Sequence, residues 1–324
     1  MINTTLLDVL ADGAFHSGEE LGAAMGVSRA AVWKQLQKLE ELQLTLESQK
    51  GRGYRIEGGL DLLSLEAIRS ALPEQSRHIV DRLTILPQTE STNTEAAQRI
   101  LSGDAHGICL VAEQQTAGRG RRGRQWLSPF ARNLYFSVVW EFSSGAAALE
   151  GLSLCVGVAV ARALRRLGAE SPSLKWPNDV LLDGRKIAGI LLEMQGDPAG
   201  ICQVIIGVGL NVRMGAVDVS AIDQPWVDLA SAGVEAPRSA VLAVVLDELY
   251  QALLVYGEKG FARFHQEWSE LDAFRDREVA VTLGEKRIIG QARGVEANGG
   301  LVIDTELGRR VFHGGEVSLR ACQE

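Results

Sequence analysis

The chain has 324 residues, of which 46% are hydrophobic, and its net charge is −8 at neutral pH. This length suits two or three packed domains, and the negative balance excludes a general attraction to nucleic acid or to anionic membranes. The four cysteines form no C-x-x-C pair, and no secretion leader or run of about 18 apolar residues is evident. We therefore expect a soluble cytoplasmic protein with reduced thiols and no membrane association. Any contact with DNA must come from a local basic patch.

Residues 1–60 are predicted to form a winged helix-turn-helix. Ser17 and Glu20 have the spacing of a capping box at the start of a second helix, and Ser28 caps a third helix after a very short turn. A β-hairpin with its tip at 50–53 follows as the wing. This order of elements is typical of a DNA-binding domain.

The local charge of the third helix and the wing supports that interpretation. Residues 28–55 contain six basic side chains against three acidic ones, so this segment carries +3 within a chain of −8. Basic groups on both a helix and a wing are what phosphate contact requires. The alternative is a solvated helix face on a protein-interaction module. The predicted DNA-binding residues are Ser28, Arg29, Ala30, Trp33, Lys34, Lys50 and Arg52.

The rest of the chain is predicted to be α+β. Residues 61–82 resemble a linker with one short helix, and 83–268 form a mixed-sheet catalytic domain whose helices cover one face of the sheet. Asp183-Gly184 and the segment 196–200 are hairpin turns, which implies a largely antiparallel or mixed sheet. Residues 269–324 contain five short β-rich runs and predict an SH3-like β-barrel. Helical patterns lie at 91–102, 147–168 and 239–258.

The most informative segment is 113–126, which lies directly after the apolar run at 107–112 and contains the pattern G-R-G-R-R-G-R-Q-W at 118–126. Glycines let backbone amides converge on an anion, and arginines add permanently charged donors. The pattern predicts an anion-binding loop; an RG-rich RNA-binding segment and a solvated loop are the alternatives. No P-loop is present, and Gly207-Val208-Gly209 lacks the third glycine of a dinucleotide fingerprint.

Two further segments place polar side chains at strand ends. K-W-P-N-D at 175–179 combines a lysine, an amide and a carboxylate, and Lys186 lies in an otherwise apolar strand. Burial of Lys186 requires an anionic partner, unless its ammonium group extends to water. Asn211 closes another strand, either as a functional group or as a simple cap. With no covalent nucleophile or zinc site evident, this inventory indicates electrostatic catalysis on a phosphate-bearing substrate.

The motifs together resemble the biotin–protein ligase family. The matching motifs are S-T-N at 91–93, the arginine–glycine loop at 118–126, K-W-P-N-D at 175–179, R-K-I-A-G-I-L at 185–191 and G-x-G-x-N at 207–211. The likeness covers essentially the whole chain. Because the winged helix is included, the chain resembles the branch whose members are both ligases and repressors of biotin operons.

This resemblance implies roles for individual residues. The biotin-binding set would be Ser91, Thr92, Asn93, Gln115, Arg119, Gly120, Arg121 and Lys186. The nucleotide-binding set would be Arg119, Arg121, Trp126, Lys175, Asn178, Asn211, Trp226 and Arg320. Arg121, Lys186 and Asp179 would be catalytic, and Asp179 would also bind Mg²⁺ together with the phosphates of ATP. No structural metal is expected.

The resemblance also implies a reaction and partners. Biotin and ATP would form biotinyl-5′-AMP, and the biotinyl group would pass to a lysine of a biotin carboxyl carrier protein. The adenylate-bound protein would form a homodimer, bind operator DNA and repress biotin biosynthesis genes. Three alternatives remain open at this stage: a ligase that no longer regulates transcription, a biotin-sensing regulator without ligase activity, and a lipoate ligase.

Overall fold

The computed structural model describes residues 3–103, 105–143, 145, 149–196, 200–215, 218–220, 222–284, 286–314 and 317–321. Residues 197–199, within the second predicted hairpin loop, lie outside this part, as does the side chain of Arg320. The described chain forms a small N-terminal helical unit, a central seven-stranded sheet with helices, and a C-terminal five-stranded sheet. The mixed α+β fold class is therefore confirmed.

The N-terminal unit has the predicted helix-turn-helix and wing. Its elements are α1 (Thr4–Leu10), α2 (Gly18–Met25), α3 (Arg29–Gln37), β1 (Leu46–Gln49) and β2 (Gly53–Ile56). The two strands pair in antiparallel register and form the wing. The helices enclose a small core of leucines, valine and isoleucine that is separate from the core of the central sheet.

Local capping interactions fix the ends of α2 and α3. The Ser17 hydroxyl accepts a hydrogen bond from the Glu20 amide at 3.1 Å, and the Glu20 carboxylate accepts one from the Ser17 amide at 2.7 Å. This reciprocal pair is the predicted capping box. Gly26 adopts a left-handed conformation (φ 65°) that ends α2, and the Ser28 side chain caps α3 two residues later. The short turn between the two helices is thus confirmed.

The central sheet is mixed, as expected. Its strand order is β3-β4-β5-β9-β8-β7-β6, and only the β3–β4 pair is parallel. The predicted Asp183-Gly184 turn joins β7 to β8 with both residues at positive φ. The strands are β3 (Leu83–Leu86), β4 (Cys109–Ala112), β5 (Leu134–Phe142), β6 (Pro172–Lys175), β7 (Asp179–Leu182), β8 (Arg185–Gly196) and β9 (Cys202–Leu210).

Helices cover both faces of this sheet, so the prediction of helices on one face was wrong. On one face, α6 and α7 pack over alternate strand residues such as Val138 and Ile206. On the other face, Ala96 of α5 packs against Val139 and Ile205. The helix α5 is amphipathic and short, so its sequence pattern does not show which face it covers. The helices are α5 (Thr92–Leu101), α6 (Leu152–Arg166), α7 (Arg238–Lys259) and α8 (His265–Leu271).

By length and composition alone, helix α7 could span a membrane. The sequence analysis did not recognise this property. In the folded chain, 61% of its most apolar window is buried inside the protein. Leu242, Leu246 and Leu249 of this helix are fully enclosed by the main core. Its apolar residues therefore serve as core packing against α6 and the sheet.

The segment 61–82, predicted as a linker with one short helix, contains that helix as α4 (Leu65–Ala71). It is not an exposed connection, however. Ile68 and Leu72 are buried in the main core, and α4 packs along α7. Residues Glu74–Arg82 continue as a 3₁₀ helix whose Ile79 is also buried. The segment is thus an integral layer of the central unit, because its apolar residues are covered by α7.

The C-terminal unit is one antiparallel sheet in the order β13-β12-β11-β10-β14. Its inward side chains, such as Val281 and Ile303, belong to the same hydrophobic core as the central sheet. The two units therefore share a continuous apolar interface. The strands are β10 (Glu278–Leu283), β11 (Lys286–Val295), β12 (Leu301–Thr305), β13 (Gly308–Phe312) and β14 (Val317–Ala321).

A carboxylate at the junction of these two units makes stability depend on pH. Asp272 follows α8; its Oδ1 accepts a hydrogen bond from the Phe274 amide at 2.9 Å, whereas its Oδ2 is buried without a hydrogen-bond partner. Burial raises the pKa of the Asp272 carboxyl to about 6. Because this pKa lies above that of the same carboxyl in the unfolded chain, the folded protein binds the proton more tightly. The carboxyl therefore contributes most to the free energy of unfolding at acid pH, where it is protonated. Its contribution is lost as the pH rises through about 6.

We predict that Asp272→Asn increases stability at pH 7 and flattens the pH dependence between pH 4 and 7. The amide keeps the acceptor for Phe274 and removes a buried charge, with an expected gain on the order of 2 kcal/mol. Urea unfolding at several pH values measures this effect. Asp183→Asn, at an exposed hairpin turn, is the control and should leave the profile unchanged. Parallel profiles for Asp272→Asn and the wild type would contradict the prediction.

Candidate active site

The central unit contains an elongated pocket of about 390 Å³ above strands β8 and β9. Three glycines on these strands, Gly189, Gly207 and Gly209, form its floor. From Gly207 to Asn211 the floor extends for roughly 13 Å, the length of four strand residues. The pocket therefore suits a ligand with several parts arranged in a row.

Trp126 lies directly on the glycine floor. A Cβ atom added to Gly209 would stand 2.4 Å from the indole, and one added to Gly189 would stand 2.9 Å from it. Only glycine allows this approach at these positions. Within the described part of the chain, the indole Nε1 of Trp126 is buried without a hydrogen-bond partner. The N–H edge of the indole lies against Gly209, so the ring is seated on the strands by shape and not by a hydrogen bond.

The arginine–glycine loop closes over the pocket as a tight hairpin. The Trp126 amide donates to the Gly118 carbonyl at 2.9 Å, and the Gly120 amide donates to the Arg124 carbonyl at 2.7 Å. Gly123 at the turn has φ 71°, in the left-handed region that favours glycine. Arg121, Arg122 and Arg124 all line the pocket, but Arg121 is half-buried whereas Arg122 and Arg124 are exposed.

One end of the pocket is neutral and polar. The amide of Thr92 donates to Oε1 of Gln115 at 2.9 Å, and Nε2 of Gln115 donates to the Ser128 hydroxyl at 3.1 Å. The Ser137 hydroxyl lies 2.6 Å from Oδ1 of Asn93 and 2.7 Å from the Thr92 hydroxyl. These interlinked amides and hydroxyls orient one another, so this end is preorganised to hydrogen-bond a small polar ring.

The centre of the pocket is cationic. Nζ of Lys186 contacts Oδ1 of Asp179 at 2.7 Å, and Nζ of Lys175 lies 3.8 Å from Oδ2 of the same carboxylate. Lys186 and Asp179 are both largely buried, with 14% and 13% of their side chains exposed. The expectation that Lys186 has an anionic partner is therefore confirmed. A register shift between β7 and β8 brings the two side chains together.

Arg121 adds a third cation to this centre. Its Nη1 donates to Oδ1 of Asn178 at 3.1 Å. The side-chain Nδ2 of Asn178 in turn donates to the Ile190 carbonyl at 2.8 Å. Burial lowers the pKa of the Arg121 guanidinium, and the Asp179 carboxylate opposes that shift. A guanidinium nevertheless remains charged at neutral pH. Two lysines and an arginine thus lie around the Asp179 carboxylate, and Asp223 also lines the pocket, so the cations still outnumber the carboxylates.

The far end of the pocket is aromatic. The backbone around Trp226 runs beside β8: the Lys186 amide donates to the Pro225 carbonyl at 2.9 Å, and the Val227 amide donates to the Lys186 carbonyl at 3.0 Å. Nδ2 of Asn211 donates to the Val227 carbonyl at 3.1 Å. Asn211 therefore holds the segment that carries Trp226, which is a positioning role in addition to closing its strand.

The pocket thus brings together the residues predicted to bind biotin and the nucleotide, except Arg320, whose side chain is outside the described part. The sequence analysis did not identify Ser128, Ser137 or Glu193, which hold other pocket residues. Glu193 lies singly within a strand, and no local pattern distinguishes it from an ordinary strand position. Ser137 did offer one signal, since it is a hydroxyl in the apolar run of β5.

The described part of the chain contains no cluster of three His, Cys, Asp or Glu side chains suited to a metal ion. Oδ2 of Asp179 is 3.8 Å from Lys175, so this oxygen is not tightly engaged. A single carboxylate fits Mg²⁺ that is held mainly by substrate phosphates.

The predicted DNA-binding residues lie on one exposed surface of the N-terminal unit. Lys34 and Trp33 are exposed on α3, and Lys50 and Arg52 are exposed on the wing. The ring of Trp33 lies 6.1 Å from that of Tyr54, which connects the helix to the wing. Arg29 and Ala30 are also exposed, and Ser28 caps the helix.

Comparisons with known proteins agree with this architecture. Residues 85–211 match the biotin/lipoate A/B protein ligase family, residues 4–55 match a helix-turn-helix domain, and 276–320 match the biotin protein ligase C-terminal domain. A bifunctional ligase/repressor BirA of Salmonella typhimurium is 40% identical over 98% of this chain and 98% of its own length. BirA of Escherichia coli is 39% identical, with 98% and 97% coverage.

Solved structures show the same relationship. A biotin protein ligase from Aquifex aeolicus in complex with biotin and ATP is 33% identical, with a TM-score of 0.64. This similarity covers 74% of the present chain and 99% of the other. The pocket and its sheet thus define a member of the biotin/lipoate protein ligase class. Within that class, the chain belongs to the biotin–protein ligase family, and it also carries an N-terminal helix-turn-helix domain.

Proposed function

We propose that this protein is a biotin–protein ligase that joins biotin to ATP as biotinyl-5′-AMP and then transfers the biotinyl group to a lysine of a biotin carboxyl carrier protein. The observation that carries this proposal is the order of chemistries along one pocket: a neutral polar end, a cationic centre and an aromatic end. This order matches the ureido ring, the reacting carboxylate with phosphate, and the adenine of the adenylate.

The neutral end is suited to the ureido ring of biotin. A ureido group has one carbonyl acceptor and two N–H donors. Thr92, Asn93 and Gln115 offer hydroxyl and amide groups of both kinds, and Ser91 completes this end. Because these groups already hold one another in place, little ordering is needed when the ring binds.

The cationic centre is suited to the first chemical step. An oxygen of the biotin carboxylate bonds to the α-phosphorus of ATP, the bond from that phosphorus to the oxygen of the diphosphate breaks, and pyrophosphate leaves. Two anions must approach each other, so Arg119, Arg121 and Lys186 lower their repulsion. Lys186 can move from Asp179 to the reacting anions with little displacement, because it already lies on the pocket floor beside Gly189.

The second step consumes the adenylate. A neutral lysine amine of the carrier attacks the acyl carbon, the bond to the phosphate oxygen breaks, the amine nitrogen loses a proton to solvent, and AMP leaves as an amide forms. The loop of residues 118–126 covers the centre of the pocket and limits access of water to the mixed anhydride. Trp126, Lys175 and Asn178 would hold the phosphate and ribose region, with Trp226 packed on adenine.

Magnesium would enter with the nucleotide. Asp179 would supply one oxygen to an ion that is otherwise held by phosphates, as its single carboxylate allows. The ion would neutralise part of the phosphate charge during adenylate formation. Asp179 would at the same time keep Lys186 and Lys175 oriented.

The ligase activity can be tested by the mass of a purified carrier domain after incubation with this protein, biotin and Mg–ATP. We expect a mass gain of one biotinyl group, and none when lipoate replaces biotin. Lys186→Gln should slow biotin-dependent ATP–pyrophosphate exchange by about 10²- to 10³-fold, as expected when one stabilising charge is removed. Arg185→Gln, an exposed neighbour on the same strand, is the control. An unmodified carrier with wild-type enzyme would refute the proposal.

The glycine floor gives a second prediction. Gly209→Ala should reduce the rate of pyrophosphate exchange by about tenfold or more, because the new methyl group displaces Trp126 at a cost of roughly 1–3 kcal/mol. Gly257→Ala, on α7 with no atom within 4 Å of the added Cβ, is a matched control. Gly257→Ala should unfold near the wild-type temperature, and Gly209→Ala should remain folded with an unfolding temperature lower by a few degrees, as this cost implies. Exchange by Gly209→Ala at the wild-type rate would show that Trp126 has no part in nucleotide binding.

We further propose that the adenylate-bound protein forms a homodimer that binds operator DNA and represses biotin biosynthesis genes in the cytoplasm. The basic surface of α3 and the wing suits the major groove and the adjacent phosphates. Strand β7 pairs with β8 only as far as Gly189. Within the described residues, the edge of β8 that faces away from β9 is therefore unpaired from Leu191 to Gly196. An unpaired edge of this length suits pairing with a second copy.

The DNA-binding proposal predicts that Lys34→Ala and Arg52→Ala each weaken binding to the promoter of the biotin genes. Each should reduce the slope of log affinity against log salt by about 1, since each removes one phosphate contact. Gel shifts at several salt concentrations, with biotin and ATP present, measure this slope. Lys259→Ala, at the end of α7, is the control. Promoter binding by Lys34→Ala and Arg52→Ala with unchanged affinity and slope would contradict the predicted surface.

A further inference from the structure

We infer that Glu193 is a positioning residue that holds the arginine–glycine loop in its closed position and thereby slows the escape of the adenylate. This inference rests on the proposed ligase function. Glu193 lies on β8, two residues beyond Leu191 of the pocket wall, and no sequence motif of the family includes it. It contacts two elements that the proposed reaction uses.

A single carboxylate oxygen makes both contacts. Oε2 of Glu193 accepts a hydrogen bond from Nδ2 of Asn93 at 2.6 Å and one from Nη2 of Arg119 at 3.2 Å. Asn93 belongs to the ring-binding end of the pocket, whereas Arg119 is the first arginine of the loop. The carboxylate therefore connects the wall of the pocket to the loop that covers its centre.

The contact on the Asn93 side is rigid. Oδ1 of Asn93 accepts a hydrogen bond from the buried Ser137 hydroxyl at 2.6 Å. A Cβ atom added to Gly207 would stand 2.3 Å from the same Oδ1, so the side chain lies tightly against the strand. Because Asn93 cannot move, it anchors Glu193, and Arg119 is the partner that separates when the loop opens.

The contact on the Arg119 side is solvent-accessible. The side chains of Arg119 and Glu193 are 48% and 34% exposed, and Arg119 also donates to the Thr94 hydroxyl at 3.4 Å. Such an ion pair stabilises the closed loop modestly and is weakened by salt. These properties suit a contact that must break in every catalytic cycle.

Glu193→Gln separates the two contacts. A glutamine can still accept from Asn93, but it has no charge to pair with Arg119. We expect this variant to bind biotin with wild-type affinity. It should release preformed adenylate about 2- to 5-fold faster, which corresponds to the free energy that an exposed ion pair contributes. Glu193→Ala removes both contacts and should weaken biotin binding in addition.

The experiment forms the adenylate on each purified full-length variant from labelled biotin and Mg–ATP, adds excess unlabelled biotin, and follows the bound label with time. Glu141→Gln, a carboxylate on β5 that contacts Gln203, is the matched control. Release from the wild type should accelerate with salt, and Glu193→Gln should show a smaller acceleration because the screened pair is already absent. A residue with a purely structural role would not change this salt dependence.

The outcomes are distinct. If the wild type forms no adenylate, the proposed function fails. If the wild type forms adenylate but Glu193→Gln releases it at the wild-type rate and with the same salt dependence, the role assigned to Glu193 is wrong. Equal losses of biotin affinity in Glu193→Gln and Glu193→Ala would also overturn it, because the effect would then lie in the ring-binding end and not in the loop.

Discussion

The ion pair between Glu113 and Arg238 is the constraint on which the arrangement of the chain depends. The guanidinium and the carboxylate are 2.6 Å apart, and 1% and 6% of these side chains are exposed. Charges buried this deeply are tolerated only when every group is paired, so the surrounding backbone must supply partners. The Leu63 amide donates to the carboxylate, and the Asp61 and Asn133 carbonyls accept from the guanidinium. The pair therefore fixes four separate segments relative to one another.

Those segments lead to both functional surfaces. Glu113 lies between β4 and the arginine–glycine loop. Shortly after that loop, Phe130 and Ala131 pack into the core of the winged helix. Asn133 then accepts hydrogen bonds from the amides of Val212 and Arg213, just beyond the pocket floor. The winged helix is thus attached to the central unit through residues that directly follow the loop over the pocket. A physical connection between ligand site and DNA-binding unit is built into the chain.

The elements and the site were predictable to different degrees. Helices and strands with strong local signals, such as the Ser17–Glu20 capping box and the Asp183-Gly184 turn, formed where expected, because short-range hydrogen bonds determine them. The face covered by α5 and the packing of Ile68 on α7 depend on contacts between distant segments, which periodicity does not encode. The cost of burying a charge predicted that Lys186 needs an anionic partner. That this partner is Asp179 could be seen only from the register of β7 on β8.

The site separates the recognition of charge from the recognition of shape. Lys186, Lys175 and Arg121 would attract any carboxylate next to a phosphate, so the arginine–glycine loop cannot by itself distinguish one acid from another. Discrimination must arise at the neutral end, where Thr92, Asn93 and Gln115 are already linked to Ser128 and Ser137. A ligand without matching donors and acceptors would take water from these groups without replacing the hydrogen bonds that their remaining donor and acceptor positions make, which is costly. The loop motif is therefore the feature by which the sequence is recognised, whereas substrate choice depends on hydroxyls and amides scattered along the chain.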